Sequence, residues 1–258
     1  MKARICGSFA LALGALLLSI PAVAADCPAS HDELAQALQT SVEPSGGPSN
    51  GGLDNNEWAA IVARDGTVCA VAFSGDTPDA QWPGSRGIAA EKANTANALS
   101  LKQFALSTAN LYAGAQPGGF LFGLQVGDPV DPAVLHAGDP AKFGSAQDPM
   151  AGKHLGGIIV FGGGLALYRD GNVVGGLGVS GDTSCADHNV AWRVRQALHL
   201  DAVPAGVSPG NNDAIIYDMK PDKTSASGYG HPLCKGQEDE IAEQIHAGFV
   251  PSWQKAMP

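Results

Sequence analysis

The sequence predicts an α+β fold, an antiparallel β-sheet of about five strands with helices packed mainly on one face. Three observations predict it. Two apolar runs turn back on Asp-Gly pairs, at Asp65-Gly66 and Asp170-Gly171, a strong short-range signal for a hairpin. Each hairpin is followed by a segment of helical pattern, Arg86 to Leu99 in the first half and Asp182 to about Leu198 in the second. The order hairpin, helix, long excursion, hairpin, helix also argues against a dinucleotide-binding sheet, which needs parallel strands joined through helices.

The chain opens with Lys2 and Arg4, then an apolar run from Phe9 to Ile20, then Ala22-Val23-Ala24. That three-zone pattern reads as a secretory signal peptide over residues 1–24, cut between Ala24 and Ala25. The apolar run is short for a bilayer span. Cys27 follows Asp26 rather than a small residue, which argues against an N-terminal lipid. The remaining 234 residues suit one domain, exported to the periplasm or beyond.

Residues 25–56 read as an N-terminal helix and a flexible linker. His31 to Thr40 places Leu34, Ala35 and Leu38 on one side behind the cap residue Ser30, and PSGGPSNGG (44–52) has linker composition. Residues 57–200 form the main domain. Its first hairpin runs from Trp58 to Phe73, and a second helix is expected over Leu101 to Tyr112. The stretch from Ala115 to Gly157, rich in Gly, Pro and Asp, is long for a connection and is expected to wall a binding site or an oligomer contact. Residues 201–258 form a C-terminal extension packed on the domain, with a strand at Ala214 to Tyr217 and a helix over Gln237 to His246.

The net charge moves from −10 to about −12 once Lys2 and Arg4 leave with the signal. With no basic cluster, nucleic acid is excluded as a partner. No later segment approaches the length of a membrane span. Cys6 leaves with the signal, and the four remaining cysteines suggest two disulfides in an oxidising compartment. Three pairings are open; Cys27 with Cys69 and Cys185 with Cys234 is the one expected. A zinc site is the rival, disfavoured because no C-x-x-C spacing is present.

Gly175, Gly176 and Gly178 bare one strand, so something must approach its backbone closely: a helix, another subunit or a flat ligand. Ser180-Gly181-Asp182 opens a helix N-terminus and can receive an anionic group. Gly178-Val179-Ser180-Gly181 falls short of a nucleophile elbow, because Asp182 stands where glycine is needed. Gly162-Gly163-Gly164 lacks the lysine and following helix of a phosphate loop.

The run GGLALYRDGNVVGGLGVSG (163–181) resembles the signature hairpin of the GlcG/HbpS heme-binding family. Lys92-Ala93-Asn94-Thr95-Ala96 resembles that family's K-A-x-T-A helix, and the hairpin from Ile61 to Phe73 resembles its first strand pair. The order agrees over roughly residues 57–198. Ala166 replaces the family's proline, and Asp187-His188 stands where an acidic pair is usual. The resemblance implies profilin-like layering and a protein that binds heme or a related tetrapyrrole, for sequestration or sensing; the open face and edges of the sheet favour a homo-oligomer.

Heme needs an apolar slot, an axial donor and partners for its propionates. His154 and His188 are the candidate iron ligands. Lys92, Gly163, Gly164, Ser180, Gly181 and Trp192 are the expected surroundings, with Met150 as a soft donor and Arg86 and Arg193 as further cations. His231 is expected near Cys185, while His31, His136, His199 and His246 look peripheral. Two other classes stay open. One is an enzyme acting on a small organic acid or cofactor fragment through Asp187-His188. The other is a ligand-free oligomeric module.

Overall fold

The computed structural model describes residues 26–246. The expected signal peptide, its expected cut at Ala24-Ala25 and the last twelve residues of the C-terminal extension lie outside the described residues.

Four strands, β1 (Trp58–Ala63), β2 (Val68–Phe73), β3 (Gly164–Arg169) and β4 (Asn172–Ser180), form one antiparallel sheet in the order β2-β1-β4-β3. The two Asp-Gly hairpins are its outer pairs, and the turn glycines Gly66 and Gly171 take φ values of 88° and 72°. Among the described residues the α-helices are α1 (His31–Gln39), α2 (Gly84–Ala98), α3 (Tyr112–Ala115), α4 (Pro132–Leu135), α5 (Ser184–Ala197) and α6 (Glu238–Ile245). β1 is buried at every position, as a strand covered on both faces must be. Ala59, Ile61, Leu177 and Val179 point into a core shared with α1 and α5. Trp58, Ala60 and Val62 point the other way, into a core shared with α2.

The bare strand explains how α2 sits. A Cβ on Gly178 would lie 1.9 Å from the Ala89 carbonyl oxygen, and one on Gly176 would lie 2.1 Å from that of Ala93. Helix backbone therefore rests directly on the β4 glycines, and α2 meets them with Ala89 and Ala93. Of the three approaches open from sequence, the helix is the one realised.

The excursion between α2 and β3 wraps the outer side of α2, so 11 of the helix's residues are buried. Its polar side chains are matched accordingly. Arg86 pairs with Asp148, Asn94 donates to Asp128 and the Gly157 carbonyl, and the Thr95 hydroxyl accepts from Ile159 N–H.

The α+β class holds, with four strands among the described residues where about five are expected; the helices are not mainly on one face, because α1 and α5 cover one side of the sheet and α2 the other. The segment from Ala214 to Tyr217 is buried and extended, but belongs to no strand of the sheet. The helix expected over Leu101 to Tyr112 is instead a Leu101/Phe104 bridge followed by a 3-10 turn at Thr108–Leu111. There Ser107 and Asn110 form a capping box at its N-terminus, so helical structure starts only at Thr108. The glycine-rich linker is tied down: Asn50 donates to the Ser41 carbonyl and Gln237 N–H to that of Gly51. Disulfides join Cys27 to Cys69 and Cys185 to Cys234. No helix among the described residues is long and apolar enough to cross a membrane.

Candidate functional site

Five of the nominated residues meet where α2, β4 and α5 converge. Lys92 Nζ donates to Asp187 Oδ2 at 2.6 Å and to the Val179 carbonyl at 2.8 Å. Asp187 also accepts from the backbone N–H of Gly181 (3.1 Å) and Asp182 (2.8 Å). Gly163 passes so close that a Cβ there would lie 2.7 Å from Lys92 Nζ, and Gly164 N–H donates to Thr108 Oγ1 at 2.8 Å. Ser180, between these contacts, is only 5 % exposed. Burial raises the Asp187 carboxyl to about 6 against the pull of Lys92. Burial, and then the charge of Asp187, push Glu57 well above the usual carboxylate range. This is a closed polar knot. Lys92 is fully buried and spends its ammonium on protein acceptors. Arg86 is likewise held by Asp148, and Arg193 donates to Asn50. Lys92 and Arg86 are thereby committed to protein acceptors rather than to a propionate.

His188 and Trp192 lie on the other side of α5, under α6. His188 is fully buried, and neither ring nitrogen has a hydrogen-bond partner. Its ring stands 6.3 Å from that of Trp192 and 5.4 Å from that of His246. Burial, and then the neighbouring His246, hold its pKa well below the usual imidazole range. Asp187 turns to Lys92 instead, so Asp187 and His188 form no acid–base pair. His154 is exposed at the first hairpin turn, with Nε2 3.3 Å from Thr67 Oγ1. His188 packs beside Gly162, so the two candidate iron ligands are not brought together. Met150 is buried in the α2 core.

A cleft of about 760 Å³ opens elsewhere, between α3 and the loop after the Ala214–Tyr217 segment. Tyr112, Pro117, Met219 and Pro232 line it with Lys220, Lys223 and the carboxylate of Asp222. The loop is closed on itself by Lys220 N–H to the Thr224 carbonyl and by Asp218, which accepts from Ser225 and Ser227. The volume falls in the range of cofactor sites. A thioether and a phenol are both known iron donors, and the two ammonium groups, set against the Asp222 carboxylate, leave a net positive lining for an anionic ligand. Sequence reading misses this cleft because its walls come from two aperiodic segments about a hundred residues apart. The one available signal was Met219-Lys220 within a loop rich in Pro and Gly.

A model of the family described as haem degrading protein, HbpS-like, matches residues 53–195, more than half of the chain. The chain belongs to the HbpS-like family. Among solved structures, it is similar to a PduOC:heme complex at 24% identity, covering 64% of this chain and 89% of that one, with a TM-score of 0.43. It is similar to Klebsiella pneumoniae protein ORFY at 20% identity, covering 72% and 98%, with a TM-score of 0.45. A double mutant of Streptomyces reticuli HbpS is 18% identical, with 74% and 99% covered and a TM-score of 0.39. No curated protein matches the chain. The HbpS-like region contains the sheet, α2 and Tyr112, whereas Met219, Lys220, Lys223 and Pro232 belong to the extension beyond it. The large cleft therefore lies on the border between the two.

Proposed function

We propose that this chain binds heme or a related tetrapyrrole in the cleft between α3 and the extension, as an exported protein that sequesters or senses it. Membership of the HbpS-like family and the donor chemistry of one roomy cleft carry this reading. The β4 glycine strip does not fit a macrocycle, because α2 backbone already rests on it. The cleft does fit one. Pro117, Pro232 and the ring of Tyr112 offer apolar walls that keep water from the macrocycle. Met219 and Tyr112 offer a sulfur and an oxygen to iron, and Lys220 and Lys223 orient the propionates. Bound heme would supply redox-active iron.

One observation favours a second place. The unpartnered nitrogens of His188, with Trp192 beside them, are a ready donor set if α6 and His246 lift away. Hemin titrated into the protein, read by its Soret band, tests both. Saturable binding lost in Met219→Ala or Tyr112→Phe and kept in His188→Ala supports the cleft. The reverse supports His188, and no saturable change removes the proposal. The expected self-association is supported by exposed Phe120, Phe122 and Val126 close together beyond α3. Light scattering tests that part separately.

A further inference from the structure

We propose that the Cys185–Cys234 disulfide, once reduced, becomes a Cys₂His site for a thiophilic divalent cation such as zinc, with His231 as third ligand. Ligand atoms of Cys185, His231 and Cys234 all lie within 4.8 Å of one another. The site is separate from the knot around Lys92, and the proposal does not rest on tetrapyrrole binding.

One nitrogen of the imidazole has a fixed tautomer. His231 Nδ1 lies 2.8 Å from the Pro232 carbonyl, an acceptor only, so Nδ1 carries the proton and donates. Nε2 accepts from Gly162 N–H at 3.3 Å and lies 3.3 Å from Ser184 Oγ, while Cys185 Sγ stands 3.8 Å from Nδ1, so a cation on Nε2 takes the place of the Gly162 bond. An N–H bonded to a carbonyl behind the ring is the usual outer support of a metal-bound histidine. Ser184 Oγ stands 3.6 Å from Cys234 Sγ. Three protein ligands then leave the fourth tetrahedral position to water or to this hydroxyl.

The two sulfurs are placed asymmetrically for reduction. Cys234 is partly exposed, whereas Cys185 is buried in the first turn of α5. A thiolate of a dithiol donor attacks Cys234, and Cys185 leaves as a thiolate favoured by the helix N-terminus. The donor's second thiol then resolves the mixed disulfide. Two electrons and two protons pass from donor to protein, and the donor ends as its own disulfide. Zinc binding afterwards displaces the two thiol protons.

The test uses the mature protein, oxidised or reduced with a phosphine, and titrated with cobalt(II) as the probe. Circular dichroism records the fold in each state. The reduced protein is expected to take up one equivalent of cobalt with thiolate charge-transfer absorption, while the oxidised protein takes up none. That signal should vanish in a Cys185→Ser, Cys234→Ser variant and in His231→Phe, and persist in a Cys27→Ser, Cys69→Ser variant. Equal uptake by both redox states would overturn the proposal. So would uptake that ignores His231, or a reduced wild type that loses its fold before it binds.

Discussion

Lys92 Nζ and Asp187 Oδ2 stand 2.6 Å apart with side chains 0 % and 3 % exposed. Lys92 is in the middle of α2 and Asp187 in the first turn of α5, so the ion pair links helices on opposite faces of the sheet. It does so around the end of β4, where the Val179 carbonyl takes a second bond from the same ammonium. Removing the ammonium alone strands the Asp187 carboxylate beside Glu57. Lys92→Met should therefore cost about 3–5 kcal/mol of stability near neutral pH. Denaturant unfolding measures it, and a loss under about 1 kcal/mol would show the pair to be dispensable.

The glycines of the second hairpin make a sharper contrast. Gly178→Ala drives a methyl group against helix backbone, at 1.9 Å from Ala89 O and 2.5 Å from Ala93 N. Neither neighbour can yield without moving α2, so a loss of about 1–3 kcal/mol or more is expected. Gly171→Ala meets nothing within 4 Å and pays only for its φ of 72°, on the order of 1 kcal/mol. Thermal unfolding should rank Gly178→Ala as the worse of the two; equal melting temperatures would refute the close seat of α2.

His188 predicts a pH dependence. Its pKa is depressed in the fold, from an ordinary value of 6.5. The unfolded chain therefore binds its proton first as pH falls, and stability is lost below about pH 6.5. His231 and His246 act in the same direction, lowered by burial to about 4 and about 3. Asp187 acts oppositely: raised to about 6, it contributes stability below its ordinary 3.8 that is lost as pH rises through about 6. Comparing wild type with His188→Leu cancels the other groups. The variant should match or exceed wild-type stability at pH 7, because no hydrogen bond of the ring is lost. Its advantage should grow between pH 6.5 and 5, and a constant difference across that range would contradict the assignment.

The cleft proposal predicts a charge effect. Lys220 and Lys223 are exposed, so each carboxylate partner gains only about 0.2–1 kcal/mol from them. Reversing both, by Lys220→Glu and Lys223→Glu, should weaken hemin binding by roughly 10-fold at low salt and less at high salt. Unchanged affinity at low salt would move the propionates elsewhere.

Much of the fold was legible because its signals are local. Asp65-Gly66 and Asp170-Gly171 specify turns through the backbone freedom of one residue each, and Thr183 caps α5 through its own hydroxyl. The disulfide partners Cys27–Cys69 and Cys185–Cys234 could be expected once the signal peptide was read. Lys92, Gly163, Gly164, Ser180 and Gly181 lie together in the fold, where they form a sealed ion pair with its supporting backbone.

By itself the sequence determined the α+β class, the two hairpins, the helices that follow them and the need for something to press on the β4 glycines. Only the tertiary structure decided that α2 does the pressing, that His154 and His188 stay apart, and that Tyr112 faces Met219 across a cleft. Turn and cap chemistry acts over a few residues and can be read along the chain. Which surfaces touch depends on how distant segments divide a shared core, and no local pattern carries that choice.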